Sequence, residues 1–232
     1  LQESFRTFVA NYDKVNIHVE PVCYSTDDTA ELAEIFNGNE ALIKKYAEKL
    51  SISFERVEYA KNNFIRVVKV MKAFILNDSV KSFLCLNNKL PQENKGLFDI
   101  KLLEEFADAI IKIYGIKGLK GKDLLYSINS EDYDAKRAEF IQRLSKGEKL
   151  FVISSYNTVG AGQNLQYKAP GNATIVAVND YDRGDMEKDF DCIYLEKPTN
   201  LLVNVDSKKG IEAEDLIRFV YQMEFLMERG EV

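Results

Sequence analysis

The 232 residues are enough for one large domain, or one domain with a sizeable appendage, and 46% hydrophobic with 29% charged side chains is ordinary for a chain that folds around its own core. The net charge of −6 gives no global basic signal, so any nucleic-acid contact must come from a local patch or a partner domain. Three widely spaced cysteines (Cys23, Cys85, Cys192), no CxxC pair and a lone His18 speak for reduced thiols and against a disulfide framework or a zinc site.

The first 78 residues read as mostly helical. Alternation over 15–24 suggests a strand holding His18, with Pro21 at its edge or end. Ser25, Thr26, Asp27 and Asp28 suit the N-cap of a helix running to Phe36, and Asn37-Gly38-Asn39 punctuates the chain after it. A helix follows over about 40–50. Ser53 is placed to cap a long one to about Leu76, whose apolar residues Phe54, Val57, Phe64, Val67, Val68, Met71 and Ile75 fall near helical spacing. This is the most apolar stretch of the chain. Arg66, Lys69 and Lys72 interrupt it, so it reads as an amphipathic helix and not as a membrane span, and no signal peptide precedes it. The chain opens on Leu1 and not on Met, and reads as a fragment of a cytoplasmic protein.

From Ser79 the pattern alternates between strand and helix. Strands are expected at 82–86, 124–128, 149–154, 174–178 and 192–195. Helices are expected at 99–114, at 133–144 with a stop at Lys146-Gly147, and at 212–229. Such alternation implies βαβ units around a parallel sheet. Cys85 and Cys192 fall in apolar runs and read as core residues.

The most informative stretch is 145–167. The run Leu150-Phe151-Val152-Ile153 ends in Ser154 and Ser155, and a loop with Gly160 and Gly162 leads to Asn164-Leu165. A buried strand thus runs into a turn whose backbone must approach something closely. In a doubly wound sheet, ligands sit outside the carboxyl ends of the strands, and glycines there let backbone N–H groups reach a phosphate or a ribose. The dinucleotide fingerprint is incomplete, because Leu165 stands where its third glycine belongs.

The segment 154–165, SSYNTVGAGQNL, resembles motif V in the second RecA-like lobe of superfamily-two helicases and translocases. Strand 82–86 resembles motif IV of that lobe. The stretch 127–147, with Lys136-Arg137, Phe140 and Gly147, resembles the strand, loop, Arg-bearing helix and glycine that precede motif V. The run DCIYLEKP at 191–198 resembles the strand and loop that follow it. The resemblance covers about 79–232, and motif V is its specific part.

The resemblance implies a three-layer α/β, RecA-like fold for 79–232, preceded by the helical segment 1–78, which packs on the lobe or bridges to another. It implies that Ser155 and Thr158 face nucleic-acid phosphates, while Gly160, Gly162 and Asn164 lie by the nucleotide. It names as partners a nucleic acid (DNA ahead of RNA) and the N-terminal RecA-like lobe of a larger bacterial-type protein, with no membrane. ATP and Mg²⁺ would bind only together with that first lobe.

Some features depart from the family pattern. Ser155 replaces the usual Thr, and the loop is one residue longer than in many members, so Tyr156 is an alternative occupant of that place. Residues 172–191 read as an insertion. Motif VI, Gly-Arg-x-x-Arg, is absent, and the closing helix holds only Arg218 and Arg229. No Gly-x-x-x-x-Gly-Lys-Ser/Thr occurs either, so the 232 residues on their own are expected not to hydrolyse ATP and to hold no catalytic residue.

Two charged stretches remain. Lys112, Lys117, Lys120 and Lys122 are interleaved with glycines and read as a solvated loop, or else as a contact for the nucleic-acid backbone in which Lys117, Lys120 and Lys122 take part. The acidic run 180–191 lacks calcium-loop spacing and reads as a solvated turn. Two rivals to the helicase-lobe reading stand beside it: a helicase-like lobe serving as an interaction or scaffold module, and a Rossmann-type nucleotide-binding enzyme.

Overall fold

The computed structural model describes residues 17–25, 27–55, 57–88, 90, 98–129, 131, 133–156, 158–159, 165–171, 175, 187–196, 221 and 225. Three helices come first: α1 (Asp28–Ile35), α2 (Glu40–Ser53) and α3 (Glu58–Leu76). Asp27 caps α1, its carboxylate accepting from the amides of Thr29 and Ala30 at 2.9 and 3.3 Å. Asn39 caps α2 through the Leu42 amide at 3.1 Å. Asn37 and Gly38 both have positive φ, 50° and 74°, which lets the Gly38 amide reach back to the Ala33 carbonyl and close α1.

Two expectations for this region fail. Ser53 ends α2 instead of capping α3, and α3 starts after Val57 with no side-chain cap. The corner between them is set by Phe54, buried with its ring 5.4 Å from that of Phe64, so apolar packing places the turn and the hydroxyl does not. The stretch 17–25 forms no strand, and His18 is exposed beside Glu20. Its alternation is real but has another cause. Val22 and Tyr24 pack on the core, while Lys69 donates to the Cys23 carbonyl at 3.1 Å and the Ser25 amide donates to Glu31 at 2.6 Å. The segment lies along helices instead of pairing in a sheet.

The second half alternates as expected. β1 (Ser82–Asn87), α4 (Ile100–Ile113), the single turn α5 (Gly121–Leu124), β2 (Leu125–Ser127), α6 (Tyr133–Ser145) and β3 (Leu150–Ser155) follow in order. A short antiparallel pair comes next, β4 (Tyr167–Lys168) with β5 (Glu187–Lys188), and then β6 (Cys192–Leu195). Among the described residues the main sheet has four strands in the order β2-β3-β1-β6, and every pair is parallel. Helices cover both faces, so the fold is α/β.

Every residue of β1 and β3 is buried, which explains why both read as unbroken apolar runs. Side chains alternate between two cores. Phe83, Cys85, Phe151 and Ile153 point toward α1–α4, and Leu84, Leu86, Leu150 and Val152 point toward Phe140 and Leu144 of α6 and toward Tyr167. The described residues before and after position 79 therefore share one core, with α3 forming part of the first layer. α6 ends in a Schellman arrangement: Gly147, at φ 82°, donates to the Leu144 carbonyl at 2.8 Å, and the Glu148 amide reaches that of Arg143 at 3.2 Å. Apart from Ile175, the expected strand 174–178 lies outside the described residues, as does the body of the helix 212–229; Tyr221 and Phe225 are helical and exposed. No helix among the described residues is long and apolar enough to cross a membrane.

Part of the acidic run has a structural task at the amino ends of the strands. The Asp191 carboxylate accepts from the amides of Lys81 and Ser82 at 2.9 and 3.0 Å and from the Ser82 hydroxyl at 3.1 Å, and it pairs with Lys188. The Tyr167 hydroxyl lies 2.9 Å from that of Ser82. Burial pushes the Asp191 pKa up, but the Lys188 and amide hydrogen bonds outweigh it and hold the carboxyl below its ordinary range. Asp180, Asp182 and Asp185 lie outside the described residues.

A group with a depressed folded pKa contributes stability above its unfolded pKa of about 4 and loses it as pH falls through the folded value. Asp191→Asn is therefore expected to cost roughly 1–2 kcal/mol at pH 7. The difference from the unsubstituted chain should shrink as the pH drops below about 4. Urea denaturation at several pH values measures it, and a gap that is constant with pH would contradict the assignment.

Candidate functional site

The chain leaves β1 for α4, on the face covered by α1–α4. It leaves β3 for the opposite face, where Leu165 and Tyr167 pack with α6. β1 and β3 are neighbours, so their diverging exits make a switch point at the carboxyl edge of the sheet, the place where open parallel sheets hold ligands.

Ser155 is the last residue of β3 and begins a tight turn. The amides of Thr158 and Val159 both donate to its carbonyl at 3.0 Å. Its hydroxyl accepts from the Thr158 amide at 3.2 Å and lies 2.9 Å from the Thr158 hydroxyl. Ser155 is buried, whereas Thr158 is partly exposed, so Ser155 anchors the turn and Thr158 carries its reachable hydroxyl. Tyr156, the alternative occupant, turns away: its hydroxyl donates to the Glu196 carbonyl at 2.6 Å and its amide to the Asn87 carbonyl at 3.3 Å. Burial, then the nearby Glu196 and Cys85, push the Tyr156 phenol up to about 12. Gly160, Gly162 and Asn164 lie outside the described residues.

Lys117, Lys120 and Lys122 are all exposed, on the segment that enters β2. In a parallel sheet that is the amino edge. At about 3.3 Å per residue, the length of β3, roughly 17 Å, separates it from Ser155. The turn and the lysines are not brought together. The lysine segment also has an internal reason for its glycines: Gly115 and Gly118 have positive φ, and a Cβ on Gly121 would stand 2.5 Å from the Glu104 carbonyl oxygen.

The carboxyl edge holds polar residues that sequence reasoning passed over. Asn63 of α3 and Asn87 at the end of β1 are buried and exchange amide hydrogen bonds at 3.1 Å each way. One turn along α3, Arg66 donates to Glu196 through Nη2 at 2.6 Å and through Nε at 3.3 Å. Glu196 is 2% exposed, and the Tyr194 hydroxyl also donates to it. Burial lowers the Arg66 pKa, but the bonds to Glu196 more than restore it, to above the ordinary value. Burial, with the charge of Glu196, raises the Cys85 thiol far above neutrality, so it stays protonated and inert. A faint signal existed: Asn63 and Arg66 share a helical face otherwise lined by apolar residues, and Glu196 directly ends an apolar strand.

No protein-family model matches this chain, and no curated protein matches it by sequence. The chemistry of the site must therefore speak for itself. Among the described residues, no group of three or more His, Cys, Asp or Glu side chains is placed to hold a metal ion. What the carboxyl edge offers is a turn with a reachable hydroxyl, Thr158, beside a rigid polar frame.

Proposed function

We propose that this chain is the C-terminal, RecA-like lobe of a cytoplasmic, ATP-dependent helicase-type translocase. In this reading it contributes a motif V-like turn to nucleic-acid backbone contacts and to an ATP site shared with a first lobe. The observation that carries the reading is the turn Ser155–Thr158 at the exit of β3, at the switch point of a parallel sheet. Thr158 then donates to a backbone phosphate, and Ser155 holds Thr158 in place. Gly160, Gly162 and Asn164 would serve the ribose of ATP, whose phosphates and Mg²⁺ would be held chiefly by the first lobe. Lys117, Lys120 and Lys122 sit at the other edge, so any contact they make with nucleic acid is a separate one.

The test is fluorescence anisotropy of a labelled single-stranded dT20 titrated with the chain at several salt concentrations. Binding is expected to weaken as salt rises. Thr158→Ala is expected to lose about tenfold in affinity, the worth of one hydrogen bond to a charged group at about 1.5 kcal/mol. Replacing the three lysines by alanine should lower the salt slope without changing the response to Thr158→Ala. Absence of salt-dependent binding, or a Thr158→Ala variant that binds like the unsubstituted chain, would overturn the reading.

A further inference from the structure

We infer that Glu196 is the positioning residue of the turn after β3 and that it couples this turn to α3; its consequence for ligand binding rests on the nucleic-acid reading above. Four elements meet at this one residue. Its carboxylate takes Nη2 and Nε of Arg66 from α3 and the hydroxyl of Tyr194 from β6. Its amide donates to the Leu86 carbonyl of β1 at 3.0 Å. Its carbonyl accepts the Tyr156 hydroxyl at 2.6 Å.

Tyr156 lies between Ser155 and Thr158, so the bond to Glu196 fixes the middle of the turn that presents the Thr158 hydroxyl. The carboxylate end is equally constrained. Glu196 is 2% exposed, so its carboxylate has no water to turn to and holds Arg66 through two hydrogen bonds. A shift of the turn therefore pulls on the Glu196 main chain, and through its side chain on Arg66. The reciprocal Asn63–Asn87 pair lies one helical turn from Arg66 and ties the same face of α3 to the end of β1. α3 becomes the element that registers what happens at the turn.

The experiment is hydrogen exchange followed by mass spectrometry on the full chain, with and without saturating dT20. Tyr156→Phe removes one hydroxyl and leaves the ring in place. Exchange is expected to accelerate about three- to tenfold both in the turn and in the part of α3 around Asn63 and Arg66, the effect of losing one hydrogen bond. Glu196→Gln should accelerate the same two regions. The double variant should be no faster than the faster single one, since both act through one residue. In the unsubstituted chain dT20 should slow exchange in the turn and in α3, and in Tyr156→Phe in the turn alone, a pattern that a merely structural bond would not give.

Acceleration confined to the turn, or factors that multiply in the double variant, would overturn the inference. If dT20 does not bind while the two regions remain coupled, the nucleic-acid reading falls and the positioning role stands. If dT20 binds and the regions are uncoupled, the opposite holds.

Discussion

Phe106→Ala is expected to be among the most damaging single substitutions in this chain. Phe106 is fully buried on α4, and its ring lies 5.5 Å from Phe36, 4.3 Å from Tyr46 and 5.5 Å from Phe64. Those three rings belong to the cap of α1, to α2 and to α3, so one side chain joins the whole first helical group to α4. The Tyr46 hydroxyl adds a bond to the Glu105 carbonyl at 2.9 Å beside it. Deleting the ring loses its transfer free energy and opens a cavity among groups that cannot close over it. The cost is about 3–5 kcal/mol. At roughly 2–4 °C per kcal/mol for a chain of this size, the melting temperature should fall by about 6–20 °C. Thermal unfolding followed by circular dichroism measures it. A drop of only a degree or two would mean that α1 and α2 are not held through this ring.

Glu196→Ala should cost a similar amount, about 3–5 kcal/mol, by a different route. The substitution leaves Arg66, whose side chain is 19% exposed, without its counter-charge, and removes the acceptor of the Tyr194 hydroxyl. The informative control is replacement of both partners by methionine. That exchanges a buried ion pair for apolar volume and should recover much of the loss, because the pair was costly to desolvate in the first place. Urea denaturation of the two variants distinguishes the cases. Equal destabilisation by the single and the double change would show that packing, not an orphaned charge, sets the cost.

How far the sequence revealed this molecule depended on where each signal was written. The buried strands Ser82–Asn87 and Leu150–Ser155 were legible because residues covered on both faces leave an unbroken apolar run. The cap region 25–28, from which Asp27 caps α1, was legible because its role is local. The start of α3 was not, since Phe54 sets it by packing on Phe64, a contact that no capping rule contains. Alternation over 15–24 looked like a strand because period two marks any extended segment with one covered side, and a helix bundle covers a side as well as a sheet does. The same limit hid the carboxyl-edge frame. Arg66 and Glu196 stand 130 residues apart, and Asn63 and Asn87 stand 24 apart, so nothing local joins them. Ser155 and Thr158 were named together because the motif resemblance spans both, and the turn that unites them is only four residues long. The lysines, by contrast, were found from local charge, which says nothing about the edge of the sheet on which they lie.

The strand order also carries a consequence for how the chain is made. β1 occupies the interior of the sheet, yet both strands that flank it are encoded much later, and 109 residues separate Ser82 from the Asp191 that clamps it. At about 5–20 residues per second, the ribosome reaches the second neighbour roughly 5–20 s after finishing β1. Until β3 has also been made, this fully buried strand has neither hydrogen-bonded flank. Until α6 is made, only the helical group gathered around Phe106 is available, and it shelters one of the two faces.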